Sequence, residues 1–135
     1  MSRTLKMVLL IIGGLILVFT ITKTSIAEAP APPVPITQPT VQELIGKYAL
    51  QYNVSASRML NTMKCESGLK SDAQGDMKNG VYTSFGLSQI HLPAHPEVTK
   101  EQALNPDFAV EFMAKGFAQH KERMWTCWRT LYGVK

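Results

Sequence analysis

From position 40 onward, apolar stripes at helical spacing alternate with short clusters of turn-forming residues. Thr40-Val41-Gln42-Glu43 is a capping box, in which hydroxyl and carboxylate satisfy N–H groups that a helix start leaves unpaired. Behind it Val41, Leu44, Ile45, Tyr48, Ala49 and Tyr52 follow the helical period and predict a first amphipathic helix. Asn53-Val54 is a turn and Ser55 the N-cap of a second helix whose buried face is Ala56, Met59, Leu60 and Met63. Glu66 continues that face, and Gly68 ends the helix in a left-handed cap.

The period then changes. Asn79-Gly80, between Asp76-Met77-Lys78 and Val81-Tyr82-Thr83, is a strong hairpin signal and predicts the only sheet of the domain. A Thr-x-x-Gln box at Thr99 opens a short helix to Leu104. Asn105-Pro106 caps a longer helix with Ala109, Phe112, Met113, Gly116, Phe117 and His120 on one side. Trp125, Cys127, Trp128 and Tyr132 close the domain with large side chains. The pattern predicts a small, mainly α domain of α+β type with one short β-hairpin.

Upstream the texture is different. Met7 to Ile21 is apolar except for two glycines and Thr20, and it follows Arg3 and Lys6 as a signal h-region follows its n-region. Ser25-Ile26-Ala27 and Ala27-Glu28-Ala29 offer small residues to a signal peptidase. Retention as an anchor is the other reading, because the run approaches the ~20 apolar residues of a spanning helix. Residues 1–27 are therefore a signal peptide or membrane anchor, the proline-rich stretch 28–39 an extended spacer, and 40–135 the domain. Both readings put the domain outside the cytoplasm: secreted, periplasmic, or tethered to the outer face of the cytoplasmic membrane.

Charge and cysteines sharpen this picture. The net charge is +4, but Arg3, Lys6 and Lys23 carry three of those charges, and no acid precedes Glu28. The rest of the chain is nearly balanced, so no basic patch for nucleic acid is expected. The 2 cysteines, Cys65 and Cys127, in a small domain in an oxidising compartment predict one disulfide. His91 and His95 have the spacing of a helical zinc pair, but Pro93 breaks that helix and the glutamate of such a motif is missing. They read as cleft-edge or packing residues, and a zinc site with His120 is the remote alternative.

Lys64-Cys65-Glu66-Ser67-Gly68, followed by Ser84-Phe85-Gly86-Leu87-Ser88-Gln89-Ile90, resembles the Glu-Ser and Gly-Leu-x-Gln-Ile signatures of the lysozyme-like soluble lytic transglycosylases. The likeness spans Val41 to Tyr132. It implies a lysozyme-like fold and cleavage of the bond between N-acetylmuramic acid and N-acetylglucosamine in peptidoglycan strands, with no metal or organic cofactor. Glu66 would be the single catalytic acid/base, kept protonated by its apolar helix face and the negative end of the helix dipole. Ser67, Gly86 and Gln89 would position the glycan, with Tyr82 and Asp76 on the hairpin beside them. Asp76, or less directly Asp72, is also the candidate second carboxylate of a hydrolytic muramidase. A glycan-binding module without catalysis is the remaining alternative. Many family members carry a late Ala-Tyr-Asn motif whose tyrosine approaches the acid; this chain has only Leu131-Tyr132-Gly133, and its two cysteines are not general to the family.

Overall fold

A computed structural model describes residues 37–133. The signal or anchor segment and most of the spacer lie outside these residues. The elements are α1 (Val41–Gln51), α2 (Ala56–Ser67), β1 (Gln74–Lys78), β2 (Val81–Phe85), β3 (Ile90–His91), α3 (Lys100–Leu104), α4 (Pro106–Ala118) and α5 (Thr126–Tyr132). Single 3-10 turns at Leu92–Ala94 and Glu122–Met124 join β3 to α3 and α4 to α5. The domain is thus mostly helical with one small antiparallel sheet of order β1-β2-β3. No helix among the described residues is long and apolar enough to cross a membrane.

Side-chain chemistry sets the boundaries as the sequence predicts. The capping boxes at Thr40–Glu43 and Thr99–Gln102 are formed, Ser55 and Asn105 cap α2 and α4, and Gly68 takes φ 62 at the end of α2. Leu44, Ile45, Tyr48 and Ala49 of α1 pack with Ala109, Val110, Met113, Ala114 and Phe117 of α4, and with Met59, Met63, Leu87 and Trp125. Met59, Met63 and Met113 are wholly buried, and burying a side chain of that size contributes roughly 1.5–3 kcal/mol. A second cluster, Phe85, Ile90, Val98 and Ala103, lies under the sheet and α3.

Three expectations need correction. The hairpin is not the whole sheet: Ile90 pairs with Phe85 and His91 with Ser84, adding β3. A two-residue strand has no alternation to read, so its pairing was invisible in the pattern. Ala56 is exposed, at the first position of α2 and a turn ahead of the stretch that packs. His120 is exposed as well, because α4 stops at Ala118. His120 takes φ 55, and the bonds Lys121 N–H to Gly116 and His120 N–H to Phe117 close a Schellman-type end, so the helical period no longer applies there.

Between β2 and β3 the chain runs through the interior. Gly86, Leu87 and Ser88 are all buried. Gly86 has φ 75, and a Cβ there would overlap the Ala103 carbonyl of α3, so no other residue fits without moving backbone. Gly86→Ala is expected to destabilise the domain by about 2 kcal/mol or more, since left-handed strain and overpacking add. The measurement is a urea titration, read as a lowered midpoint at unchanged slope.

Candidate functional site

The site is assembled around the C-terminal turn of α2. Glu66 is half-buried there, and its Oε1 accepts the backbone N–H of Cys127 at 2.8 Å. Cys65, its chain neighbour, is bonded to Cys127. Burial pushes the Glu66 carboxyl above its ordinary value; the Cys127 amide bond opposes this, and the nearby Asp76 charge adds to the rise. The direction agrees with the sequence argument, and loss of water leads among the causes. What pattern alone did not show is that the carboxyl has a fixed donor.

Ser67 ties this helix end to the buried loop. Its hydroxyl lies 3.0 Å from the Met63 carbonyl and 2.9 Å from the Leu87 carbonyl, so its single proton is shared between helix and loop. It orients the acid-bearing turn relative to the Gly86–Ile90 string. Gly86 spends its own backbone groups internally: its N–H donates to Ala73, and its carbonyl accepts the Gln89 N–H. That carbonyl also accepts Gln89 Nε2 at 3.0 Å. Gly86 therefore shapes the loop, and its close approach is to Ala103. Gln89 has φ 45, and its Oε1 lies over Gly75, where any Cβ would collide with it.

Asp76 sits on β1 at φ 49 and is exposed, yet its carboxylate is held. The buried Ser84 hydroxyl donates to Asp76 Oδ2 at 2.5 Å, and His91 Nδ1 stands 3.2 Å from the same hydroxyl. A hydroxyl has one proton, so with Ser84 donating to Asp76 it is His91 Nδ1 that donates in the second contact. Asp76, Gln89, Ile90, His91, Ala94, His95, Phe112, Met124 and Trp125 line a cavity of about 320 Å³, within the range of small-ligand sites. Glu66 does not line this cavity; Asp76 is the residue that belongs to it and also acts on the Glu66 carboxyl.

The other expected residues fall elsewhere. Tyr82 is exposed and lines a separate groove with Val81, Phe85, Leu92 and Lys100, so it is not brought to the Asp76–Gln89 cavity. Asp72 is exposed on the turn after α2. Trp125 is buried, its indole N–H donating to the Ser88 carbonyl at 2.9 Å, while Trp128 is half-buried beside Tyr132. The Tyr132 hydroxyl accepts from Asn61 of α2 at 2.9 Å. His91, His95 and His120 form no three-ligand group, and no such group of His, Cys, Asp or Glu is present among the described residues.

Residues that sequence reasoning passed over are Gly75, Ser84, Ser88 and the Cys127 amide. Ser88, the variable position of the Gly-Leu-x-Gln-Ile string, is wholly buried and donates to the Ala109 carbonyl at 2.5 Å. Ser84, on a strand otherwise rich in apolar and aromatic residues, carried a weak signal as a polar residue facing inward. A backbone amide carries none.

Two outcomes follow from this geometry. Folded Glu66 binds its proton more tightly than unfolded Glu66, so the protonated form's contribution is complete below 4.5 and is lost as pH rises through the folded value. Glu66→Gln should therefore unfold like the parent at acid pH and become progressively more stable than it towards neutrality, as read by urea titrations across pH. Gly75→Ala should change stability by less than about 1 kcal/mol, because the clash is with the end of a side chain, while displacing the Gln89 amide. NMR of the Gln89 side-chain amide checks the second. Compared with known proteins, the chain matches no family model, no curated protein and no solved structure.

Proposed function

We propose that this is an extracytoplasmic, lysozyme-like lytic transglycosylase that cuts peptidoglycan strands between N-acetylmuramic acid and N-acetylglucosamine. The observation that carries the reading is Glu66: a half-buried carboxyl with its affinity for protons raised, oriented by the Cys127 N–H, and tied through Ser67 to the Gly86–Ile90 loop. The Glu-Ser and Gly-Leu-x-Gln-Ile resemblance supplies the substrate class. The disulfide supports the compartment, since such bonds persist where the surroundings oxidise. The sequence-predicted leader or anchor adds to that, and an uncleaved anchor would make the membrane a partner.

Protonated Glu66 would give its proton to the bridging oxygen as the glycosidic bond breaks, leaving an oxocarbenium-like sugar assisted by its own N-acetyl group. The resulting carboxylate would then take the proton of the sugar's 6-hydroxyl as that oxygen closes on the anomeric carbon, giving an anhydro end. Each proton lost by Glu66 is thereby recovered in one cycle. In the absence of the family's tyrosine near the acid, the Cys127 amide is the group that orients Glu66.

A hydrolytic alternative rests on Asp76, which Ser84 holds and whose charge reaches Glu66. It would activate water in place of the 6-hydroxyl. Incubation with peptidoglycan and mass spectrometry of the fragments decides between them. Anhydromuramyl ends are expected; reducing ends would replace the proposal by hydrolysis, and uncut but bound strands by a binding module. Glu66→Gln should lower cleavage by about 10²–10⁴-fold without loss of fold.

A further inference from the structure

Glu66 is enclosed by the disulfide in an unusual way. One half-cystine, Cys65, precedes it in the chain, and the other, Cys127, gives it a backbone N–H at 2.8 Å. A covalent bond and a hydrogen bond thus run side by side between the same two short segments. The hydrogen bond can persist only while α5 stays against α2.

Beyond the bridge, one packed side chain holds α5 there: Trp128, half-buried against the main core. The helix has no buried residue, and the indole N–H of its half-buried Trp128 has no partner. Its other ties to α2 are exposed: Asn61 donates to the Tyr132 hydroxyl at 2.9 Å, and the Arg58 guanidinium stands 5.5 Å from the Tyr132 ring. Polar contacts of this kind contribute little each in water. Immediately before α5 the situation reverses, because Trp125 is buried and bonded to the Ser88 carbonyl. The chain is anchored at Trp125 by burial and that bond, whereas beyond it α5 is held by the bridge and by Trp128, whose indole N–H is enclosed without a partner. Cys65 is the exposed member of the bridge and Cys127 the half-buried one.

We propose that Cys127 is a positioning residue for Glu66 and that the Cys65–Cys127 bridge makes this positioning thiol-sensitive. The inference rests on Glu66 being the functional acid. With the bridge closed, the Cys127 amide fixes the carboxyl; with it open, α5 swings away as a unit and the carboxyl loses its orienting donor while the rest of the domain keeps its fold. The opening step is exchange with a dithiol. One thiolate attacks a bridge sulfur and forms a mixed disulfide, and the second displaces the protein thiol. The protein bond is reduced to two thiols as the dithiol is oxidised to its own disulfide, with the dithiol's two protons ending on the protein sulfurs.

The test uses the full chain in three forms: oxidised, reduced with dithiothreitol, and Cys65→Ser/Cys127→Ser. In the oxidised chain, the amide proton of residue 127 should shift in step with the Glu66 titration, a response absent in Glu66→Gln. In both open-bridge forms the amide should lose this response while the Trp125 indole proton stays protected from exchange. Peptidoglycan cleavage should fall at least about tenfold, as expected for a misoriented acid, and return on reoxidation. An amide at 127 that still follows Glu66 in the open forms overturns the proposal. So does global unfolding of those forms, since release is meant to stop at Trp125. If the oxidised chain cleaves no glycan, the functional reading fails, and the amide response alone decides the positioning role.

Discussion

A loop whose backbone is buried has to find partners for every polar group that water no longer reaches, and in this domain that requirement falls on Gly86-Leu87-Ser88. The solution recruits α2, α4 and the segment ahead of α5. Ser67 at the end of α2 takes the Leu87 carbonyl, and the Trp125 indole ahead of α5 takes that of Ser88. The Ser88 hydroxyl reaches into α4 at Ala109, Gln89 closes onto Gly86, and Ala73 accepts the Gly86 N–H. The acid-bearing turn, the long central helix and the tryptophan under the cavity are thus positioned by one set of hydrogen bonds. The apolar core supplies the larger free energy, but it is non-directional; these bonds fix which way the turn carrying Glu66 faces.

That division explains what could be read in advance. Helices with caps and apolar stripes were legible because capping and burial are local: Thr40, Ser55, Gly68, Thr99 and Asn105 all act within a turn of themselves. The hairpin at Asn79-Gly80 was legible for the same reason. Glu66 was singled out by the Glu-Ser resemblance rather than by its spacing, which a solvent-facing helix end fits as well, and Cys65 with Cys127 from arithmetic and compartment. The parts that stayed hidden are all contacts across long sequence separations. No local rule says that Ser84 will lie between Asp76 and His91, that Gln89 will rest on Gly75, or that Ile90 will extend a sheet. The groove that Tyr82 faces was hidden too, because a hairpin residue can face either of two grooves and spacing does not say which.

Two carboxyl groups of the site illustrate how environment, rather than residue type, assigns roles. Glu66 is half-buried, and loss of water favours its neutral form against the opposing Cys127 and Thr126 amides. Asp76 is exposed and receives the Ser84 hydroxyl, with His91 behind it as the donor to that hydroxyl. The cavity shared by Asp76, His91 and His95 is polar on that side and apolar along Ile90, Phe112, Met124 and Trp125. A ligand with one greasy face and a hydrogen-bonding rim would match both walls.

The covalent ring closed by Cys65 and Cys127 contains the sheet, α3 and α4, but α1 lies outside it. Tyr48 nevertheless bonds Asp107 across 59 positions of sequence. Through the bridge the same pair is separated by roughly 37 residues, about 17 to Cys65 and about 20 back from Cys127, a saving on the order of 0.4 kcal/mol in closing that contact. The sulfur–sulfur bond thereby favours docking of a helix that it never touches, by shortening the path along which the two partners must search for each other.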